Sequence, residues 1–198
     1  MVLFLNVLTR KIAILASGGG SNARKIIEHF KKSQVADIVL LAANKAECGA
    51  LDIAQEASIE TYVLTRDNFR ESDQFTKELQ QREVDFVVLS GFLWLIPAIM
   101  VRQFPNRIVN IHPALLPKYG GKGMYGMNVH RAVKEANEAE SGMTIHFVNE
   151  QYDQGDIIYQ GSTSLKPTDS PEEIAAKVLK LEHENYSKVI EQVVLAQA

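Results

Sequence analysis

Along the chain, short apolar runs alternate with amphipathic segments from about residue 11 to residue 111. Continuous runs of Val, Ile and Leu indicate strands that are buried on both faces, and the segments between them indicate helices that cover a parallel sheet. The apolar runs predict strands over 11–17, 38–43, 61–64, 85–90 and 107–112. The helical periods predict helices over 21–32, 47–57 and 67–82.

After residue 112 the pattern changes, because residues 113–128 are rich in Gly and Pro and predict an ordered loop. A helix is predicted over 129–140, and two extended segments, 142–148 and 156–164, are predicted to pair antiparallel across a polar turn. Ser170-Pro171-Glu172-Glu173 combines a capping box with proline at the first helical position, so a long terminal helix should begin there.

Together these elements predict a Rossmann-like α/β fold. Its sheet should be mostly parallel with helices on both faces, and its C-terminal part should add an antiparallel strand pair and the long terminal helix. One domain is expected over residues 1–198, with residues 1–9 as an N-terminal extension. A signal peptide is not expected there, since Arg10 and Lys11 interrupt the apolar start before any cleavage site.

Composition narrows the class of protein. The 198 residues carry a formal net charge of −3, which gives no basic surface for nucleic acid. No segment reaches the roughly 20 apolar residues that cross a bilayer. Cys48 is the only cysteine, so neither an intrachain disulfide nor a cysteine-rich metal site can form, and the five histidines lack metal-binding spacing. These features favour a cytoplasmic protein without a metal.

The glycine-rich segment Gly18-Gly19-Gly20-Ser21-Asn22-Ala23 follows a predicted strand and opens a helix. A helix N-terminus in that place attracts phosphate, although a simple turn with Ser21 as N-cap is an alternative. The segment also fits the dinucleotide pattern of nicotinamide-dependent oxidoreductases. That alternative requires an acid at the end of the second strand, where this chain has Asn44 and Lys45.

Asn110 and His112 alternate at the end of a buried strand, so both side chains should point to the same side of the sheet. Pro113 then ends the regular strand. An amide and an imidazole side by side can donate two hydrogen bonds to one carbonyl oxygen, as in an oxyanion hole. Spacing alone supports equally a structural role in which these side chains satisfy the turn.

Four segments carry a family resemblance: SGGGSN at 17–22, GFLWLI at 91–96, NIHPALLPKYGG at 110–121 and GMTIHFVNEQYDQGDII at 142–158. Together they resemble the phosphoribosylglycinamide formyltransferases, a group of folate-dependent formyltransferases, over residues 11 to about 192. The resemblance implies transfer of the formyl group of 10-formyltetrahydrofolate to the amine of glycinamide ribonucleotide in purine biosynthesis. It implies small-molecule substrates, no metal, and a monomer or homodimer.

Transferred by position, the resemblance implies a set of site residues. The catalytic residues would be Asn110, His112 and Asp153, with Asp153 keeping His112 protonated. The ribonucleotide would be bound by Gly20, Ser21, Asn22 and Glu182, and the folate by Arg70, Leu93, Trp94, Leu95, Ile96 and Asn110. The resemblance also places Thr144 and His146 near the active cleft.

Simpler interpretations exist for three of these residues. Asp153 lies in a polar turn, where aspartate commonly caps the turn. Glu182 follows Val178 and precedes Tyr186 at helical spacing, so it is either a buried acid or a surface glutamate that reaches solvent. Arg70 is predicted on an exposed helix face, where arginine usually contacts only water.

The chain departs from its relatives at two places. Trp94 stands where similar enzymes often have arginine, which predicts altered packing with folate binding retained. The loop 119–130 is longer than usual, so its glycines predict a flexible flap, and His130 is expected to take the position of a family histidine. Within the wider group, methionyl-tRNA and sugar-nucleotide formyltransferases and formyltetrahydrofolate hydrolases are the alternatives, but each normally carries a further domain.

Overall fold

The computed structural model describes residues 9–197, so nearly all of the predicted N-terminal extension lies outside the described residues. Within that range the strands are β1 Arg10–Ala16, β2 Ala36–Ala43, β3 Glu60–Val63, β4 Phe86–Ser90, β5 Ile108–His112, β6 Glu140–Phe147 and β7 Ile157–Ser164. The α-helices are α1 Ser21–Ser33, α2 Gly49–Glu56, α3 Gln74–Gln81, α4 Ala98–Gln103, α5 Met127–Glu135 and α6 Pro171–Ala196. None of these helices is long and apolar enough to cross a membrane.

The strands form one seven-stranded sheet in the order β3-β2-β1-β4-β5-β6-β7. Strands β1 to β5 run parallel, and β6 and β7 are antiparallel to their neighbours. The mostly parallel sheet and the C-terminal antiparallel pair are therefore confirmed. Because the chain moves outward in opposite directions from β1 and β4, a crevice is expected at their carboxyl ends, where α/β sheets bind ligands.

Helices cover both faces of the sheet, as predicted. In β1, Ile12 and Ile14 pack into the core on one face, which includes α1, α2 and α6. Ala13 and Leu15 alternate with them and pack into the core on the other face, which includes α3 and α4. A strand buried on both sides explains the continuous apolar runs of the sequence.

The terminal helix α6 begins as the sequence predicts. The Ser170 side chain accepts a hydrogen bond from the Glu173 N–H, and the Glu173 carboxylate accepts one from the Ser170 N–H. Further along α6, the hydroxyl of the buried Tyr186 donates to the carbonyl oxygens of Leu89 at 2.8 Å and Val109 at 3.2 Å. These contacts tie α6 to β4 and β5, the two strands that lead into the candidate site.

Two predicted helices are wrong in detail, and one helix was not predicted. The helix over 67–82 is two pieces, a π-helical turn Asp67–Glu71 and α3. They are separated at Ser72, which has an extended backbone and whose hydroxyl donates to the Asp67 carbonyl at 2.7 Å. Serine side chains compete with helical hydrogen bonds in this way.

The helix predicted over 129–140 is α5, which begins at Met127 and ends at Glu135. Asn137 then adopts a left-handed backbone with φ of 51°, so the helix cannot continue and β6 begins at Glu140. The short helix α4 was not predicted. It follows an extended Pro97 and has only six residues, too few for a clear helical period.

Candidate active site

The antiparallel pairing of β5 with β6 brings four polar side chains together at the end of β5. Asn110 lies opposite His146 and His112 lies opposite Thr144. Because alternate residues point to the same side of a strand, all four side chains lie on one face. The sequence predicted that Asn110 and His112 point to the same side. The strand register places His146 and Thr144 opposite them.

Asn110 and His146 form a hydrogen bond of 3.1 Å between Nδ2 and Nε2. The Nδ1 of His146 lies 2.8 Å from the carbonyl oxygen of Phe147, which can only accept, so the Nδ1 carries a proton. In the neutral ring, the Nε2 then accepts from Asn110. Since an amide nitrogen has two N–H groups, one donor of Asn110 remains for a ligand.

His112 is held between Asp153 and the loop that follows β5. Its Nε2 donates to the Tyr119 carbonyl at 2.8 Å, and its Nδ1 lies 3.4 Å from Asp153 Oδ2. Burial lowers the pKa of His112, which is only 4% exposed, and outweighs the Asp153 carboxylate and the Tyr119 carbonyl, which both act to raise it. Asp153 therefore acts in the predicted direction on the pKa of His112, but desolvation of the buried ring acts more strongly against it.

Asp153 connects the two histidines to the loop. Its Oδ1 lies 3.7 Å from His146 Nε2, and its Oδ2 accepts a hydrogen bond of 2.9 Å from the Gly121 N–H. Burial alone would raise the pKa of Asp153, but His146, His112 and the Gly121 N–H together lower it. The Asp153 carboxylate is thus ionised at neutral pH. Through Gly121 it also links its own turn to the loop that follows β5.

Thr144 fixes the turn that carries the chain away from His112. Its hydroxyl donates to the Ala114 carbonyl at 2.6 Å and accepts from the Leu116 N–H at 3.0 Å and the Gln160 amide at 2.9 Å. Of the two β6 residues expected near the cleft, His146 lines the cavity and Thr144 shapes the loop behind it.

A cavity of about 650 Å³ opens beside these residues and extends in two directions. Residues 91–96 line one end, Asn22 and Glu182 line the other, and His112 and Asp153 lie in its wall. The volume lies within the range of pockets that bind cofactors or drug-sized ligands. The structure therefore brings Asn110, His112, Asp153, Asn22 and Glu182 around one space.

Glu182 is a buried acid, so the alternative of a surface glutamate is wrong. It is 8% exposed, and its Oε2 accepts a hydrogen bond of 2.6 Å from the Asn22 side chain. Burial raises the pKa of Glu182, and the Asn22 hydrogen bond only partly opposes that effect. The Oδ1 of Asn22 is buried without a hydrogen-bond partner among residues 9–197.

Gly20 and Ser21 lie at the N-terminus of α1, next to Asn22 but outside the cavity wall. Gly20 is the residue before the helix and has φ of 79°. An added Cβ there would lie 2.7 Å from the Ala50 Cα, so both the turn and the approach of α2 require glycine. Ser21 is the first helical residue and forms no side-chain cap, which corrects the interpretation of Ser21 as N-cap.

The predicted folate-binding residues divide into two groups. Leu93, Trp94, Leu95 and Ile96 all line the cavity, whereas Arg70 does not. The Arg70 guanidinium lies over the Trp94 ring, 5.0 Å from its centroid, so the expectation that it contacts only water is wrong.

Two functional features were missed from the sequence. The Ser17 hydroxyl accepts a hydrogen bond of 3.0 Å from the Leu93 N–H and so fixes the loop after β4. Because Ser17 directly follows the carboxyl end of β1, its position in the sequence could have indicated a role at the site. The second feature is the contact of Tyr119 with His112 and of Gly121 with Asp153, which both use backbone atoms of the loop, so no residue type signals them.

His130, in the first turns of α5, also lines the cavity. It is 6% exposed, and its Nδ1 has no hydrogen-bond partner among the described residues. Within residues 9–197, no group of three or more His, Cys, Asp or Glu side chains is arranged to hold a metal ion.

Comparison with known proteins identifies the family. The model of the formyl transferase family matches residues 10–190. The chain is 46% identical over 187 residues to the chloroplastic phosphoribosylglycinamide formyltransferase of Arabidopsis thaliana, covering 91% of this chain and 64% of that protein. It is 37% identical over 186 residues to the phosphoribosylglycinamide formyltransferase of Haemophilus influenzae, covering 91% and 85%.

Solved structures agree with this similarity. Glycinamide ribonucleotide transformylase 1 from Symbiobacterium toebii superposes with a TM-score of 0.88 at 27% identity, over 99% of this chain and 92% of that one. The phosphoribosylglycinamide formyltransferase of Coxiella burnetii superposes with a TM-score of 0.83 at 32% identity, over 94% and 88%. The chain spans less than two thirds of the length of the Arabidopsis and Vigna unguiculata relatives. From the family match and these relatives, the chain belongs to the formyl transferase family.

Proposed function

We propose that the protein transfers the formyl group of 10-formyltetrahydrofolate to the amine of 5′-phosphoribosylglycinamide, a step of de novo purine biosynthesis. The observation that carries the proposal is the convergence of Asn110, His112 and Asp153 on one cavity of a formyl transferase fold. The names of the bacterial relatives, which this chain covers over most of their length, support the choice of acceptor.

In the proposed reaction the acceptor amine attacks the formyl carbon and a C–N bond forms. The carbonyl oxygen becomes an oxyanion, and the intermediate collapses when the bond from carbon to N10 breaks. The acceptor nitrogen loses one proton and N10 gains one. Holding both substrates in one cavity supplies much of the acceleration, because attack becomes effectively intramolecular.

Asn110 and His112 would stabilise the oxyanion with two N–H groups. Asn110 has one donor left after its bond to His146. The His112 Nε2 carries a proton even in the neutral ring, because it donates to the Tyr119 carbonyl. The oxyanion would replace the Tyr119 carbonyl as the acceptor of this hydrogen bond. His112 can therefore act without being charged in advance.

Asp153 would receive or relay the proton that leaves the attacking nitrogen. A proton added at His112 Nδ1 would lie against the Asp153 carboxylate, 3.4 Å away. Since the pKa of Asp153 is lowered, its charge is available at neutral pH to stabilise an imidazolium as it forms.

The two ends of the cavity suit the two substrates. Asn22 and Glu182 offer an amide oxygen and a carboxylate for the hydroxyls of a ribonucleotide, and the N-terminus of α1 beside them suits its phosphate. Residues 91–96 form the apolar end, with Ile96 buried and Leu93 42% exposed. That end suits the flat ring of a reduced folate.

A coupled absorbance assay tests the proposal. Purified protein is mixed with a 10-formylfolate donor and glycinamide ribonucleotide, and release of the deformylated folate is followed. We expect turnover that needs both substrates and falls about 100-fold or more in His112→Ala, since one oxyanion donor contributes roughly 3–4 kcal/mol in comparable sites. His29→Ala is the matched control, because His29 lies on α1 and packs against Phe30, away from the cavity.

The assay also separates the alternatives. Donor loss without ribonucleotide would indicate a hydrolase. Donor binding without transfer would mean that the acceptor is a different molecule, while the family assignment stands. The expectations of one domain over 1–198, a cytoplasmic location, a monomer or homodimer, and no nucleic-acid or membrane partner belong to the same proposal. The plant relatives are named chloroplastic, so fractionation of the native host is the measurement for the compartment.

A further inference from the structure

Strands β4 and β5 separate at their carboxyl ends, and the cavity lies at this separation. The last residues that pair the two strands are Leu89 and Asn110. Beyond this pair, β4 continues beside β1 to Ser90, and β5 continues beside β6 to His112. We call this separation the fork. Leu89, Asn110 and His112 all line the cavity, so residues on both sides of the fork contribute to its wall.

The hydroxyl of the buried Tyr186 bridges the base of the fork. It donates to the carbonyl oxygens of Leu89 on β4 and Val109 on β5, at 2.8 and 3.2 Å. Tyr186 and Val109 belong to the core on the face that includes α6, whereas Asn110, the next residue, lines the cavity. The Val109 carbonyl and the Asn110 N–H belong to one planar peptide group. The hydroxyl therefore holds the backbone of Asn110 from behind the sheet.

Tyr186 also fixes the position of α6 relative to β5. Glu182 lies one turn earlier on the same helix and lines the end of the cavity that it shares with Asn22. One contact thus relates the carboxylate at that end to the Asn110 amide. Burial, together with the nearby Glu182, raises the pKa of Tyr186 well above its ordinary value. The hydroxyl therefore keeps its proton, and its role as donor, throughout the neutral pH range.

We propose that Tyr186 is a positioning residue that holds the Asn110 side chain so that its free N–H group faces the formyl oxygen. The inference rests on the proposed function. Asn110 uses one N–H group in its bond to His146, so the direction of the other depends on the backbone that carries it. Tyr186 lies outside the cavity wall and acts through the Val109 peptide group. Position matters here, because a displacement of 1 Å can cost a reaction about 100-fold.

A purely structural role for the hydroxyl predicts a different result. If the hydroxyl only anchors α6 to the core, its removal lowers the fraction of folded protein but leaves kcat per folded molecule unchanged. If it positions Asn110, kcat per folded molecule falls, and the effect disappears once the Asn110 amide is absent. A double-mutant cycle separates the two roles.

The experiment measures kcat and both substrate KM values for the wild type, Tyr186→Phe, Asn110→Ala and the double variant. Tyr159→Phe is the matched control. The Tyr159 hydroxyl also ties the sheet to α6, through a contact of 3.3 Å with the Asn185 Oδ1, but it lies on β7, away from the fork. Calorimetric titration with deformylated reduced folate counts the folded sites. Trimethylamine N-oxide, which is excluded from protein surfaces, restores the folded fraction of a weakened variant.

We expect Tyr186→Phe to lower kcat about 5- to 20-fold, less than loss of the Asn110 amide, because the strand pairing still holds β5. Both KM values should change less than about twofold, because Tyr186 touches neither substrate. In the Asn110→Ala background, the same substitution should change kcat less than about twofold. Equal losses of kcat in the two backgrounds, an unchanged kcat, or an equal loss in Tyr159→Phe would overturn the inference.

The side-chain amide of Asn110 also gives a readout that does not depend on turnover. Its two proton–nitrogen correlation signals in the NMR spectrum are assigned by their absence from the spectrum of Asn110→Ala. We expect Tyr186→Phe to shift both signals and Tyr159→Phe to leave them in place. If the wild type transfers no formyl group, the proposed function fails, and this measurement still tests the placement of Asn110. Signals that Tyr186→Phe leaves in place overturn the inference.

Discussion

Two regions of the candidate active-site cavity differ in how their polar groups are satisfied: the wall that holds His112 and Asp153, here called the catalytic end, and the end lined by Asn22 and Glu182, here called the acceptor end after the proposed function. At the catalytic end, the protein itself supplies partners. Asn110 bonds to His146, His112 donates to the Tyr119 carbonyl, and Asp153 lies beside both histidines and accepts from the Gly121 N–H. Most of this end is therefore fixed before any substrate binds.

At the acceptor end, the network is incomplete. Asn22 and Glu182 share one hydrogen bond, but the Asn22 Oδ1 is buried without a partner among the described residues, and so is the Nδ1 of His130 in the same cavity. A buried polar atom without a partner costs on the order of 1–3 kcal/mol. Under the proposed function, the acceptor would supply the missing partner of Asn22, whereas the catalytic end holds its geometry without a ligand.

The largest test of this comparison is Asp153→Asn. The amide can still accept from the Gly121 N–H, so the loop contact survives, but the charge that faces both histidines is lost. We expect kcat to fall about 10³-fold, within the range reported for removal of an acid–base partner together with its electrostatic support. Both substrate KM values should change less than about threefold.

Asp156→Asn is the matched control, because Asp156 lies in the same turn but is exposed. Steady-state kinetics of the two variants decide the point. A fall in kcat for Asp153→Asn no larger than that of the control would mean that Asp153 serves only to hold the loop, and the catalytic end would lose its proposed proton acceptor.

The sequence predicted one half of this end and not the other. The alternation of Asn110 and His112 on a buried strand was enough to place them side by side, because strand periodicity is a local property. Asp153 is far along the chain and reaches His112 only because β6 runs antiparallel beside β5 and the turn between β6 and β7 carries Asp153. Spacing carries no such information, so its role entered through family resemblance.

The fold was predictable to a similar degree. Continuous apolar runs identified the buried strands, and the capping box at Ser170 located the start of α6. The break at Ser72 and the left-handed Asn137 were missed, because a single side-chain hydrogen bond or one residue with positive φ decides where a helix ends. The resemblance indicated the carboxylate near His112 but not the burial of the imidazole, which acts on its pKa in the opposite direction.

A second test alters the backbone at the acceptor end. Gly20→Ala places a Cβ at a residue with φ of 79°, 2.7 Å from the Ala50 Cα. The left-handed backbone and the collision should together lower the free energy of unfolding by about 2–4 kcal/mol. The acceptor KM should rise as the N-terminus of α1 shifts, with little change in the donor KM.

Gly18→Ala is the control, because an added Cβ at Gly18 meets no atom within 4 Å. Chemical denaturation and KM measurements are made on both variants. If Gly20→Ala weakened the donor and the acceptor equally, the two ends of the cavity would not be independent, and the comparison between them would fail.

The smallest expected effect, and the most specific, is that of Glu182→Gln. The amide can still accept from Asn22, but it lacks the charge that strengthens hydrogen bonds to ligand hydroxyls. We expect the acceptor KM to rise about tenfold, because a hydrogen bond to a charged group contributes roughly 1.5–3 kcal/mol. Glu184→Gln, an exposed carboxylate two residues further along α6, should leave it unchanged.

The same substitution should make the protein more stable. Burial raises the pKa of Glu182 above its ordinary value of 4.5, so the folded state favours the protonated acid. The favourable contribution of the Glu182 carboxyl to the free energy of unfolding is fully present below pH 4.5. It is lost as the pH rises through the pKa that Glu182 has in the folded state. Glutamine has no charge to bury, so Glu182→Gln should match the wild type in acid and exceed its free energy of unfolding at pH 7 to 8. Denaturation across that range measures the difference, and a less stable variant at pH 7 would mean that the carboxylate is already satisfied without a ligand.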